Sequence, residues 1–149
     1  MIDTKDVAKL RAESGFGVME CKKALDEAKG DYEKALLIVK KQGKVKAEKK
    51  ADREIKNGVV EAYVHEHVIG AMVILGCESD FVAKTPQFLE LAHDIAMQVA
   101  SMDPKDVKEL LAQTFIKDQD QTIQDLVHNA VGKIGENIKI VEFKRYSLR

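Results

Sequence analysis

Apolar positions recur at helical spacing early in the chain, alternate near its middle, and return to helical spacing afterwards. Val7, Ala8 and Leu10 give a narrow apolar face that Asp3 or Thr4 can cap, which predicts a first short helix. Ser14-Gly15-Phe16-Gly17 breaks it. Val18, Cys21, Ala24, Leu25 and Ala28 predict a second helix with that stripe buried. Gly30 ends it and Asp31 caps a third, whose stripe is Tyr32, Ala35, Leu36 and Val39; Gly43 predicts its stop. From Gly58 the period becomes two. Val60, Ala62 and Val64 alternate with Glu61, Tyr63 and His65, as in a strand with one wetter face. After a turn at Glu66-His67-Val68-Ile69-Gly70, Ala71 to Cys77 reads as a second strand, apolar on both faces: Ala71, Val73 and Leu75 on one, Met72 and Ile74 on the other. The short link makes the pair an antiparallel hairpin.

Thr85-Pro86 opens a helix with Pro at the favoured first position and Phe88, Leu91, Ala92, Ile95 and Val99 inside. Asp103-Pro104 starts another, with Val107, Leu110 and Leu111. A further helix carries Ile123, Leu126, Val127, Ala130 and Ile134 up to Gly135, and Ile138 to Tyr146 reads as a last strand. The predicted class is α+β. Residues 1–43 form a very small three-helix module with a marginal core. Residues 44–57 form a charged, solvated linker, helical in part. Residues 58–149 form a core of a small antiparallel three-stranded sheet with helices on one face.

The 149 residues carry 24 basic and 25 acidic side chains, a net charge of −1. That balance argues against general nucleic-acid affinity, which needs a positive excess. No apolar run approaches the ~18 residues that cross a bilayer. The segment Met1-Ile2-Asp3-Thr4-Lys5-Asp6 lacks the plan of a secretion signal, so a cytoplasmic protein away from membranes is expected. Cys21 and Cys77, in separate elements, read as free thiols that pack as small apolar groups.

Motifs for covalent chemistry are missing: there is no P-loop, no G-x-S-x-G and no paired-carboxylate motif, so neither an enzyme nor a cofactor is expected. His65 and His67, two apart, could hold a metal with Cys77 on the paired strand, but solvated histidines are the plainer reading. His93 and His128 show no partner for acid–base work. Met19 lies off the buried stripe of the second helix, with Lys22 and Lys23 on its side. It is either an adaptable contact or an ordinary scattered surface apolar residue. Asp80-Phe81 falls where a strand turns into a helix, in Gly76-Cys77-Glu78-Ser79-Asp80-Phe81-Val82-Ala83-Lys84. From position alone Phe81 is either tucked into its own core, the commoner fate of a Phe, or offered to a partner.

Ser79-Asp80-Phe81-Val82-Ala83-Lys84 resembles the T-D-F-V-A-[KR] signature of the elongation factor Ts family. Ser14 to Leu25 resembles that family's T-G-A-G-M-M-D-C-K-K-A-L, and Lys133-Ile134-Gly135-Glu136-Asn137-Ile138 matches K-I-G-E-N-I. The segments lie in the family's order across almost the whole chain. Departures are Gly76 for the usual Asn, Ser79 for Thr, Phe16 for Ala, and Thr85-Pro86 for a polar pair; Gly76 puts any contact of an Asn side chain in doubt. The resemblance implies guanine-nucleotide exchange on elongation factor Tu, which itself holds GDP and Mg²⁺. Phe81 would be the wedge that disturbs the Mg²⁺ site and Asp80 its polar neighbour, with Ser79, Val82 and Lys84 in the same contact. Arg11, Val18, Met19 and Lys22 would dock the partner's nucleotide-binding domain, which would make residues 1–43 a docking module of the ubiquitin-associated type that the family carries at its N-terminus. A homodimer is expected, because longer family members carry two copies of the core and this chain has room for one. The rival function is a peptide- or ubiquitin-like-binding adaptor that uses the three-helix module alone.

Overall fold

The computed structural model describes residues 1–149. Three helices open the chain: α1 (Thr4–Ser14), α2 (Val18–Glu27) and α3 (Tyr32–Lys50). The Asp3 and Asp31 side chains cap α1 and α3, accepting from the N–H groups of Lys5 and Lys34. Gly15, at φ 74°, ends α1 in the left-handed region. Leu10, Phe16, Cys21, Ala24, Leu25, Ala28, Ala35 and Val39 pack as the bundle's own core. Val18, predicted to be buried with the second stripe, is instead exposed at the start of α2.

Gly43 does not stop the third helix. α3 runs through it to Lys50, so the first half of the charged stretch 44–57 is helix, exposed or half-exposed except where Ala47 is buried. The reason is packing. Gly43 is buried against Phe16 and α7 (Ile123–Ile134), and Ala47 joins the core of the second half of the chain. On α7, a Cβ at Gly132 would lie 2.6 Å from the Phe16 ring and 2.9 Å from Gly43 Cα. The two glycines let the helices approach closely, and the Phe16 ring closes the junction. An ion pair between Lys46 and Glu20 ties α3 to α2 beside it. One long helix thus belongs to both cores.

The sheet has the order β1-β2-β5, with β1 (Asn57–His65), β2 (Ile69–Cys77) and β5 (Lys139–Ser147) all antiparallel. One face carries α5 (Pro86–Met102), whose Phe88, Ile95 and Val99 meet Ala71, Val73, Leu75 and Cys77 of β2. In β1 the wetter face is the opposite of the one its alternation implies. Val59, Glu61 and Tyr63 are half-buried on the helix side, where Tyr63 packs edge-on to His93, and Val60, Ala62 and Val64 are exposed on the open side. Met72 and Val141 are exposed as well.

Between α6 (Val107–Ala112) and α7 lies a hairpin of β3 (Thr114–Phe115) and β4 (Asp118–Thr122) that the apolar pattern does not announce. Its organiser is Gln98, fully buried on α5. The Gln98 amide donates to Thr114 O at 3.0 Å and accepts from Ile116 N–H at 3.0 Å.

Candidate partner-binding turn and docking groove

β2 ends at Cys77, and one helical turn, α4 (Asp80–Ala83), follows at once. Ser79 caps it: its hydroxyl accepts from Val82 N–H at 3.2 Å. Every polar atom of Ser79 is engaged. Its N–H and hydroxyl donate to Glu136, at 2.9 and 2.6 Å. Its carbonyl accepts from the Cys77 thiol at 3.2 Å and from Ala83 N–H at 3.3 Å. Burial, together with the Glu136 charge, pushes the Cys77 thiol up, so it stays protonated and inert.

Immediately beyond, the pattern inverts. Val82 and Ala83 are buried in the core, and Phe81 stands 77% exposed. Asp80 and Lys84 are exposed too, and no side chain of the protein pairs with either. Of the predicted contact residues, Asp80, Phe81 and Lys84 therefore face outward. Ser79 is the cap, and Val82 is the anchor that holds the turn down. A side chain at Gly76 would have to displace Ile55: a Cβ there would lie 2.3 Å from Ile55 Cγ2. An amide nevertheless reaches this turn from the neighbouring strand, where Asn57 Nδ2 donates to Glu78 O at 3.0 Å.

The second group is on the bundle. Arg11, Val18 and Lys22 line a shallow groove between α1 and α2 together with Ile2, Val7 and Ala8. Met19 is exposed beside it. All four predicted docking residues are outward, and the patch joins apolar side chains to the basic Arg11 and Lys22. Cys77 pairs with Asn57, whereas His65 pairs with Ile69, so the histidine and cysteine lie at opposite ends of the hairpin rather than together.

Glu78, Glu136 and Asn137 hold the turn, and the sequence alone assigns them no role. Glu136 and Asn137 lie in the Lys133 to Ile138 segment, the one signal that points to them.

A model of the family described as elongation factor TS matches residues 6–109 and 78–148. The chain belongs to the elongation factor Ts family. Residues 78–109, with the Asp80-Phe81 turn and α5, fall in both matched segments. The chain is similar to elongation factor Ts of Thermosipho melanesiensis, 37% identical over 194 aligned positions that cover 99% of each protein. It is also similar to that of Fervidobacterium nodosum, 38% identical over 193 positions covering 99% of this chain and 98% of the relative. For Carboxydothermus hydrogenoformans the figures are 38% over 194 positions, 99% and 89%. These aligned lengths exceed 149, so the relatives carry residues that this chain lacks. Membership of elongation factor Ts makes the protein a translation elongation factor.

Proposed function

We propose that this member of the elongation factor Ts family accelerates guanine-nucleotide exchange on elongation factor Tu without covalent chemistry. The observation that carries this is Phe81, a large aromatic standing in solvent on a turn whose neighbours are capped and buried. Exposed aromatics on rigid supports are what hot spots of protein interfaces are made of. Phe81 inserts beside the partner's nucleotide site, and Asp80 supplies the adjacent negative charge. Displacing Mg²⁺ there removes the ion that neutralises the phosphates, and GDP leaves faster. The groove lined by Arg11, Val18 and Lys22, with Met19 at its edge, docks the partner's nucleotide-binding domain. Linkage fixes the thermodynamics: a factor that binds the nucleotide-free state best is itself weakened by nucleotide in the same ratio.

The protein acts in the cytoplasm as a homodimer and needs no nucleic acid or membrane. The open sheet face supports the dimer: Val60, Val64, Met72 and Val141 are each more than half exposed there. An apolar patch of this kind across β1 and β2, edged by Glu142 and Lys144 of β5, favours burial against a second copy about a two-fold axis. The test of the function is release of labelled GDP from purified elongation factor Tu. Substoichiometric amounts of the chain accelerate release if it is an exchange factor; no acceleration at any ratio rejects this function.

A further inference from the structure

Glu136 lies just past the C-terminus of α7, where Gly135, at φ 86°, turns the chain back toward the sheet. The turn aims its carboxylate at the start of the Asp80-Phe81 turn. One oxygen accepts from Glu78 N–H at 3.1 Å and Ser79 N–H at 2.9 Å. The other accepts from the Ser79 hydroxyl at 2.6 Å. The grip is reciprocal, because Glu78 accepts from Asn137 N–H at 2.8 Å. The Ser79 hydroxyl in turn caps Val82 N–H, so the carboxylate orients the first turn of α4 through it. Asn137, 3% exposed, donates its amide to Arg53 O at 2.8 Å and Ala51 O at 3.3 Å, just past the end of α3. Adjacent residues thus hold the wedge turn and the end of the helix that carries the docking bundle.

We propose that Glu136 is the positioning residue of the exchange turn: its carboxylate fixes the backbone of Glu78 and Ser79 so that Phe81 meets the partner in one orientation. This rests on the exchange function proposed above. Hydrogen bonds to a charged acceptor are the stronger kind, and all three converge on the two residues that precede the exposed pair. A turn ordered beforehand loses little conformational freedom on docking, and an unbraced one loses more. Arg53, 3.6 Å from Glu78, offsets the charge of the two neighbouring carboxylates.

The test compares wild type, Glu136→Ala, Glu136→Gln and Phe81→Ala. Each is measured by amide hydrogen exchange across residues 78–83 and by GDP release from elongation factor Tu at saturating factor. Glu136→Ala is expected to lose amide protection in that segment alone and to slow release about tenfold, the worth of one charge-assisted hydrogen bond. Glu136→Gln keeps an acceptor for the backbone N–H groups but points an NH₂ at the Ser79 hydroxyl. Because it keeps the volume and an acceptor for the backbone, it is expected to fold where the alanine variant does not, and to fall between Glu136→Ala and wild type in both measurements. Wild-type release from a folded Glu136→Ala chain overturns the proposal, as does slow release with undiminished protection. Should Glu136→Ala not fold, wild-type release from Glu136→Gln overturns it. Slow Phe81→Ala beside normal Glu136 variants rejects the positioning role alone; normal Phe81→Ala rejects the wedge role of Phe81 and this proposal with it, whereas a wild-type chain that does not accelerate release rejects the exchange function.

Discussion

Phe81 is 77% exposed and Val82, the next residue, is 7% exposed. Within one helical turn the chain offers an aromatic to solvent and plants an aliphatic beneath it. The two side chains therefore have separable tasks. Phe81→Ala removes a side chain with little to lose in the folded state, so unfolding free energy should change by less than about 0.5 kcal/mol. Val82→Ala takes methyl groups from the core and should cost about 1–3 kcal/mol. Urea denaturation of both variants checks this split. Equal destabilisation by the two would place Phe81 in the core after all.

The Phe16 ring packed over Gly43 and Gly132 is the mechanical link between bundle and core. Phe16→Ala should destabilise the protein by about 3–5 kcal/mol, the usual cost of emptying a buried Phe site. Gly132→Ala should also destabilise it, because its methyl would lie 2.6 Å from the ring. Combining the two should cost less than the sum, since the ring is the nearer of the two obstacles. Chemical denaturation of the single and double variants gives the coupling. Strict additivity would mean that ring and methyl do not share the space.

Much of this arrangement was legible in the residues, and the exceptions have physical causes. α7 and the start of α5 announced themselves because stripe, cap and stop agree: Thr85-Pro86 opens one, and Gly135 closes the other. Gly43 misled because the same residue that stops a helix also permits one to touch another, and α7 supplied the contact. Val60, Ala62 and Val64 misled because a sheet left open on one side presents an apolar row to solvent. The β3–β4 hairpin was invisible because Asp118 to Thr122 is polar and the segment is organised by the buried Gln98. In the turn, Asp80 and Phe81 stood out as a pair, whereas Glu136 acts from a distant segment that no local pattern connects to it.

Met19→Glu places a negative charge at the edge of the docking groove, on a side chain that is 63% exposed. Stability should stay within about 0.5 kcal/mol of wild type, as for most surface changes. Affinity for elongation factor Tu should fall, as measured by calorimetry. Unchanged affinity would remove this face from the contact.

The open sheet face gives a test of assembly. Light scattering should show twice the 16.6 kDa of one chain for the wild type, and 16.6 kDa for Met72→Asp. A charge at Met72 would otherwise be harmless, because the residue is 51% exposed in the single chain. A 16.6 kDa wild type, alone and with its partner, would end the dimer.

His128, half-buried on α7, has a pKa below the ordinary 6.5. Burial is the main cause, Lys44 adds to it, and Asp125 and Glu48 oppose it. A histidine depressed on folding takes up protons more readily when unfolded. Its stabilising effect is therefore complete above 6.5 and is lost as pH falls from there toward the lower folded value. Urea midpoints at about pH 7.5 and about pH 5.5 should differ more for wild type than for His128→Gln. Equal differences would show that burial does not set the titration of His128.

The central claim is that Phe81 drives nucleotide release. The direct measurement is the rate of GDP release from elongation factor Tu at saturating factor, comparing wild type with folded Phe81→Ala. The expected result is fast release with wild type and a rate at least about tenfold lower with Phe81→Ala, the scale of a hot-spot aromatic. Equal rates from the two proteins would contradict the account.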